Sequence, residues 1–254
     1  MSSWVPFPTA DSGADAGGVS SNEDEQVNFE ENKSKHALYM PPSEKPHIHQ
    51  QAMSCPDTPF WEEAKEYKLM MINCLGTYKL VPLPLGCKAI SSKWVYKVKC
   101  DMNGKIVKYH AQVVAQGFTQ QPGIDFFETY APVARIKLVC LLLALAAMLD
   151  WEIHVINIDS AFLNSGLPVG EDIYLHQPPG HVIEGEEDWV WFLIKALYGL
   201  KQASHLWYEK LKEILIKMGF LICKADPCVF IHHHSLAISF ISSHVDGLGL
   251  YCSS

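Results

Sequence analysis

The chain has 254 residues, enough for one large domain or two ordinary ones, and 48% of them are hydrophobic, so it can bury a substantial core. Its formal net charge of −8 argues against a protein that coats nucleic acid along its whole surface. The eight cysteines form no Cys-x-x-Cys pair, and no secretory signal opens the sequence. These features argue against a zinc site and predict free thiols in an intracellular protein of the cytoplasm or nucleus, not a secreted one.

The charge is distributed unevenly along the chain. Residues 1–50 contain eight acidic residues and three lysines, with few periodic apolar positions, so they are predicted to form a disordered acidic linker. Residues 88–108 contain six lysines and one acid, Asp101. This basic stretch either contacts phosphate groups or forms the solvated face of a hairpin, and its composition is compatible with both.

The first predicted elements are a helix and a hairpin. The helix is expected to begin at Asp57 or Thr58, either of which can cap it. The hairpin joins residues 93–99 to residues 106–116 through an Asn-Gly turn, which is a strong hairpin signal. Trp94, Tyr96 and Val98 alternate with lysines, which predicts one apolar face and one cationic face.

The longest apolar run, residues 138–149, is followed directly by a predicted strand. Twelve apolar residues cannot span a bilayer, so the run predicts a buried helix. Residues 153–158 then predict a buried strand. Asn157 and Asp159 are two positions apart, so both would point to the same face if the strand reaches them. Such a polar pair either carries chemistry or caps a turn.

The remaining elements predict an α+β fold with helices behind a sheet. Residues 172–176 and 189–194 are predicted to be paired strands, and residues 203–218 an amphipathic helix. Residues 229–232 and 236–242 predict a hairpin, which is followed by His244-Val245-Asp246-Gly247 and a last strand.

Five stretches of the chain together resemble the reverse transcriptase of Ty1/copia-type LTR retrotransposons, an RNA-directed DNA polymerase. Their order and spacing, over about residues 51–254, make the resemblance specific. The stretches are KWVYKVK (93–99), AQGFTQ (115–120), YAPVAR (130–135), AFLN (161–164) and KALYGLKQA (195–203).

The resemblance implies a right-hand polymerase fold. Residues 51–150 would form an N-terminal helix and the fingers, and residues 151–254 the palm, with the thumb expected to be absent because the sequence stops soon after the catalytic hairpin. The implied partners are an RNA template, a DNA primer and a deoxynucleoside triphosphate, with no membrane. The implied cofactor is a pair of Mg²⁺ ions held by three aspartates.

The residue-by-residue match predicts that this catalytic site is defective. Counted from Ala161-Phe162, the position of the family's first metal-binding aspartate is Asn157, and Asp159 is only its neighbour. The family's Tyr-Val-Asp-Asp corresponds to residues 244–247, so Asp246 is retained and Gly247 replaces the second aspartate. Losing two negative charges from a two-cation site should lower metal binding and polymerase activity by orders of magnitude.

Other matched positions are candidate contacts to nucleotide or template. Phe162 corresponds to the residue that excludes a ribose 2′-hydroxyl, although it could equally be an ordinary core aromatic. His110 and Gln112 replace a basic pair suited to a triphosphate. The alternative function is a catalytically dead palm and fingers that binds nucleic acid or protein. The full set of candidate contacts is Lys97, Lys99, Asp159, Phe162 and Gln202.

Overall fold

Four α-helices and eleven β-strands make up the part of the chain that the computed structural model describes, residues 45–234 and 237–253. The helices are α1 (His49–Ala52), α2 (Thr58–Cys74), α3 (Ile136–Met148) and α4 (Ala203–Lys217). The strands are β1 (Tyr78–Pro82), β2 (Ala89–Ile90), β3 (Ser92–Cys100), β4 (Ile106–Ala115), β5 (Glu152–Asn157), β6 (Tyr174–His176), β7 (Trp189–Leu193), β8 (Leu221–Ile222), β9 (Val229–His234), β10 (Ala237–His244) and β11 (Gly247–Cys252). The acidic linker predicted for residues 1–50 lies largely outside the described residues.

The strands form three sheets, and nearly all their pairings are antiparallel. One sheet has the order β1-β7-β6-β2, a second the order β5-β11-β10-β9-β8, and the third is the hairpin β3-β4. The pair β2-β6 is parallel. This mixed architecture confirms the predicted α+β class, including the β6-β7 pair, the β9-β10 hairpin and helix α4.

The hairpin β3-β4 forms as its sequence predicts. At its turn, the carboxylate of Asp101 accepts hydrogen bonds from the backbone N–H groups of Asn103 and Lys105, both at 2.9 Å. Trp94 and Tyr96 are buried, whereas the lysines that alternate with them are exposed. The apolar face packs against α2, where the Trp61 ring meets the Tyr96 ring edge-on at 5.2 Å. The aromatic contacts therefore leave Lys93, Lys97 and Lys99 open to solvent.

Two glycines let the end of this hairpin approach the loop before α4. A Cβ atom on Gly199 would lie 2.1 Å from the carbonyl oxygen of Ala115, and one on Gly117 would lie 2.1 Å from the carbonyl oxygen of Gly199. Gly199 also has a φ of +91°, which disfavours any other residue. The close approach allows the backbone N–H of Ala115 to donate to the carbonyl of Tyr198 at 2.8 Å. Both glycines are thus required by the packing of backbone against backbone.

Helix α3 is less buried than its composition predicts. Leu142 and Ala146 are buried against Val229 and Tyr251, but much of the rest of the helix, including Leu141, faces solvent. The prediction of a buried helix is therefore wrong for most of its surface, because only one side of α3 lies on the sheet. Across residues 45–234 and 237–253, no helix is both long and apolar enough to cross a membrane.

Strand β5 is an exposed edge strand, which corrects the prediction of a buried strand. It pairs with β11 on one side, and all six of its residues are exposed. Val155 exposes 86% of its surface. Its apolar composition reflected strand propensity but did not determine whether a second layer covers it. The end of β5 nevertheless lies beside the turn that follows β10, and the candidate site is found there.

Candidate functional site

The turn between β10 and β11 consists of Val245 and Asp246. His244 pairs directly with Gly247, so only two residues connect the strands. Val245 has a φ of 56°, an unfavourable conformation for a β-branched residue. The indole N–H of Trp207 on α4 donates to the Val245 carbonyl at 2.6 Å. Helix α4 therefore holds a strained turn in place, and that turn carries Asp246.

The register of β5 and β11 brings the three positions predicted to bind metal to one end of the sheet. Asn157, the last residue of β5, lies directly opposite Gly247, the first residue of β11. The next backbone N–H, from Ile158, donates to the Asp246 carbonyl at 2.8 Å. The two positions without a carboxylate are therefore cross-strand neighbours, and the remaining carboxylate adjoins them.

A buried lysine lies beside this end of the sheet. The ammonium of Lys68, on α2, donates to the hydroxyl of Ser160 at 3.0 Å and lies 5.7 Å from the centre of the Tyr198 ring. Burial lowers the pKa of Lys68, and the charge of Asp159 acts in the opposite direction. Burial raises the pKa of Tyr198, and the nearby charges of Asp246 and Asp159 raise it further. Lys68, Tyr198 and the two aspartates thus form one electrostatic cluster.

Sequence reasoning missed Lys68 and Tyr198. Lys68 is one of several charged residues interspersed among the apolar residues of α2, and nothing local distinguishes it from the other charged residues. Tyr198 lies within the KALYGLKQA stretch, and this motif is the sequence signal that identifies it as a candidate site residue. Both residues gain their importance from packing between elements distant in sequence.

Phe162 packs beside the same tyrosine. It lies in a short 3₁₀ helix, Ala161–Asn164, and exposes 7% of its surface. Its ring centre is 4.4 Å from that of Tyr198. In this structure Phe162 is a core aromatic at the edge of the cluster, and its role as a gate against the 2′-hydroxyl stays a prediction.

Gln202 is fully buried and its amide is used inside the fold. Its side-chain nitrogen donates to the carboxylate of Glu171 and to the carbonyl of Asp125, both at 2.9 Å. Its side-chain oxygen accepts a hydrogen bond from Gln120 at 3.2 Å. These contacts connect three separate segments, and they leave no free surface on Gln202 for a template.

Lys97 and Lys99 are exposed on β3, where they could reach a phosphate group. Lys97 lies opposite His110 of β4, and Lys99 lies opposite Lys108. Directly opposed residues of an antiparallel pair place their side chains on the same face. The hairpin therefore presents four basic side chains together.

The residues at the end of the sheet do not fit a pair of Mg²⁺ ions. Hard divalent cations require several oxygen ligands, and anionic ones when two cations lie close together. Asp246 supplies a carboxylate, Asn157 a neutral amide oxygen and Gly247 no side chain. In the described part of the chain, no three His, Cys, Asp or Glu side chains converge as a metal site would require.

Comparison with known proteins identifies the family. A family model described as "Reverse transcriptase (RNA-dependent DNA polymerase)" matches residues 75–253. The chain is 38% identical over 185 residues to the retrovirus-related Pol polyprotein from transposon TNT 1-94 of Nicotiana tabacum, covering 73% of this chain and 14% of that protein. It is 33% identical over 173 residues to the corresponding polyprotein from transposon RE1 of Arabidopsis thaliana, covering 68% of this chain and 12% of that protein.

A yeast relative extends the group. The Gag-Pol polyprotein of transposon Ty1-BL from Saccharomyces cerevisiae is 32% identical over 146 residues, covering 56% of this chain and 8% of the polyprotein. In all three comparisons the chain spans a small fraction of the relative's own length. These matches confirm the resemblance first drawn from the motifs. The chain belongs to the reverse transcriptase (RNA-dependent DNA polymerase) family, in the group found in copia- and Ty1-type transposons.

Proposed function

We propose that this chain is a reverse transcriptase fingers and palm that does not catalyse nucleotidyl transfer. In this assignment β3-β4 is the fingers hairpin, and the sheet that contains β5, β10 and β11 is the palm. The observation that carries the proposal is the pairing of Asn157 with Gly247 beside Asp246. Two of the three positions expected to bind metal lie at the same end of the sheet as Asp246, but their residues carry no negative charge.

The expected loss of metal binding follows from electrostatics. Two divalent cations a few ångströms apart repel each other strongly unless carboxylates lie around them. One carboxylate and one amide offset little of that repulsion, so the pair of ions required for the reaction would not be held. Lys68 adds a positive charge near the same cluster, which further disfavours cations there.

Primer extension on an RNA template tests the proposal. With Mg²⁺ or Mn²⁺, the protein should incorporate no more nucleotide than its Asp246→Asn variant, because the single carboxylate does not hold the metals. Robust incorporation that Asp246→Asn abolishes would overturn the proposal. It would instead show an active enzyme in which Asp246 and the nearby Asp159 form the metal-binding site.

The exposed basic face of the hairpin favours a second candidate function, binding of nucleic acid without catalysis. The four grouped basic side chains, Lys97, Lys99, Lys108 and His110, are arranged where a phosphate backbone could be contacted. The implied ligands are the RNA template and DNA primer of the family. The net charge of −8 opposes non-specific binding, so contact should be confined to this face.

Binding to a fluorescein-labelled RNA–DNA hybrid at several salt concentrations measures this function. Each phosphate contact contributes about −0.9 to the slope of log affinity against log salt, so the double variant Lys97→Ala/Lys99→Ala should flatten the slope by about 2. The double variant Lys79→Ala/Lys224→Ala removes the same charge from exposed positions outside the hairpin and should leave the slope almost unchanged. Absence of binding at low salt would contradict this function.

A further inference from the structure

His110 lies at the centre of the basic face. It pairs directly with Lys97 on β3, and the next pair towards the hairpin turn on the same face is Lys99 with Lys108. Lys108 also lies over the ring of Tyr67 on α2, with its nitrogen 5.2 Å from the ring centre. His110 is half-buried, and none of the described residues forms a hydrogen bond with its ring. No described residue therefore competes with a ligand for its ring nitrogens.

The charges around His110 have one sign. Among the described residues, the charged groups that act on it are Lys97 and Lys99 from β3, Lys108 from its own strand, and Lys68 from α2. Burial lowers the pKa of His110, and these four lysines lower it further by repelling the proton. Asp159 lies near Lys68 but is not among the charges that act on His110. Burial and the four lysines together disfavour the charged form of His110 in the free protein.

We propose that His110 is a proton-dependent phosphate ligand, so that binding of a nucleic-acid phosphate to the β3-β4 hairpin takes up a proton and strengthens as the pH falls. The inference rests on the proposed nucleic-acid-binding function. His110 occupies a position predicted to carry a permanently charged basic residue, and protonation would restore that charge. At low pH the imidazolium supplies the missing positive charge and two N–H donors.

The direction of the pH dependence follows from linkage. A phosphate among the lysines cancels their repulsion of the proton and accepts a hydrogen bond from the imidazolium, so it raises the pKa of His110 in the complex. The bound state then holds more protons than the free state. Affinity rises as the pH falls through the pKa of the complex, and it levels off below the lowered pKa of the free protein. A single proton limits the slope to about tenfold per pH unit.

Fluorescence anisotropy with a short labelled RNA–DNA hybrid tests this at constant salt. From about pH 7.5 to about pH 5.5, the affinity of the unaltered protein should rise about tenfold. His110→Gln should bind weakly at both pH values, and His110→Lys should bind tightly at both. His176→Gln, at an exposed position on β6, is the matched control and should keep the full pH response. Calorimetry in two buffers of different ionisation enthalpy should show proton uptake that both His110 variants lose.

The outcomes separate the inference from the function on which it rests. Binding that is equally strong at both pH values, or a pH response that survives in His110→Gln, overturns the role of His110 but leaves nucleic-acid binding intact. Absence of binding at either pH overturns both the role of His110 and nucleic-acid binding.

The phosphate could belong to the backbone or to a nucleotide, so dTTP is titrated separately. Proton uptake with the hybrid alone would support the proposal and assign His110 to the backbone. Proton uptake with dTTP alone would overturn it and assign His110 to a triphosphate.

Discussion

The double variant Asn157→Asp/Gly247→Asp should bind Mn²⁺ about a hundredfold more tightly than the unaltered protein, because it restores two anionic ligands beside Asp246. The fold can accept both changes. Asparagine and aspartate have nearly the same shape. A Cβ atom on Gly247 would lie 3.5 Å from the His244 carbonyl oxygen, an ordinary contact, and the Gly247 backbone is not in the left-handed region. Electron paramagnetic resonance of free Mn²⁺ measures the gain without requiring catalysis.

Three controls and one further assay define the result. Each single variant should recover part of the affinity, and adding Asp246→Asn to the double variant should remove most of the gain. Primer extension by the double variant then measures whether catalysis returns together with metal binding. Recovered extension would make the lost carboxylates the main defect. Tight Mn²⁺ binding without extension would place a further defect in the β3-β4 hairpin, where His110 and Gln112 occupy positions predicted to carry a basic pair. Unchanged Mn²⁺ affinity would refute the electrostatic explanation.

Gly199→Ala should lower the free energy of unfolding by about 3 kcal/mol or more. Two costs combine at this position. The φ of +91° is unfavourable for alanine, and the new Cβ atom would lie 2.1 Å from the Ala115 carbonyl oxygen. Relieving the overlap would separate the hairpin from the loop before α4 and break the hydrogen bond from Ala115 to Tyr198. Urea denaturation followed by fluorescence measures the change.

Gly185→Ala provides the matched control. Gly185 has a similar φ of +83°, but a Cβ atom there would meet no other atom within 4 Å. Its substitution should therefore cost only the backbone strain, about 1 kcal/mol. Equal losses in the two variants would show that the close approach of the two backbone segments contributes nothing to stability.

The sequence predicts local structure well where one signal determines it. The Asn-Gly turn and the alternation around Trp94 fix the hairpin and its two faces. The pattern around Trp207 likewise predicts α4. Burial of α3 and β5 was predicted wrongly, because apolar composition shows which residues favour a partner and not whether one is present. The missing partner is a property of the tertiary structure.

The candidate site was predictable in part. The motif register identified Asn157 and Gly247, and the β5-β11 pairing places them opposite each other. The contacts of Lys68 depend on α2 lying beside a loop 92 residues further along the chain, which no local pattern encodes. The burial of Gln202 depends on a network of three segments. Residues whose roles arise from such long-range packing require the structure.

The exposed edge of β5 is an expected site of self-association at high protein concentration. Natural edge strands discourage sheet-to-sheet aggregation with lysines, prolines or bulges. This edge instead carries Ile153, Val155 and Ile156, with Glu152 and His154 as its only ionisable residues. Colloidal stability therefore depends on the overall negative charge of the chain, which decreases as the pH approaches the isoelectric point of about 5.8. Near that pH, charge repulsion no longer opposes strand-to-strand association, so measurements at low pH require dilute protein.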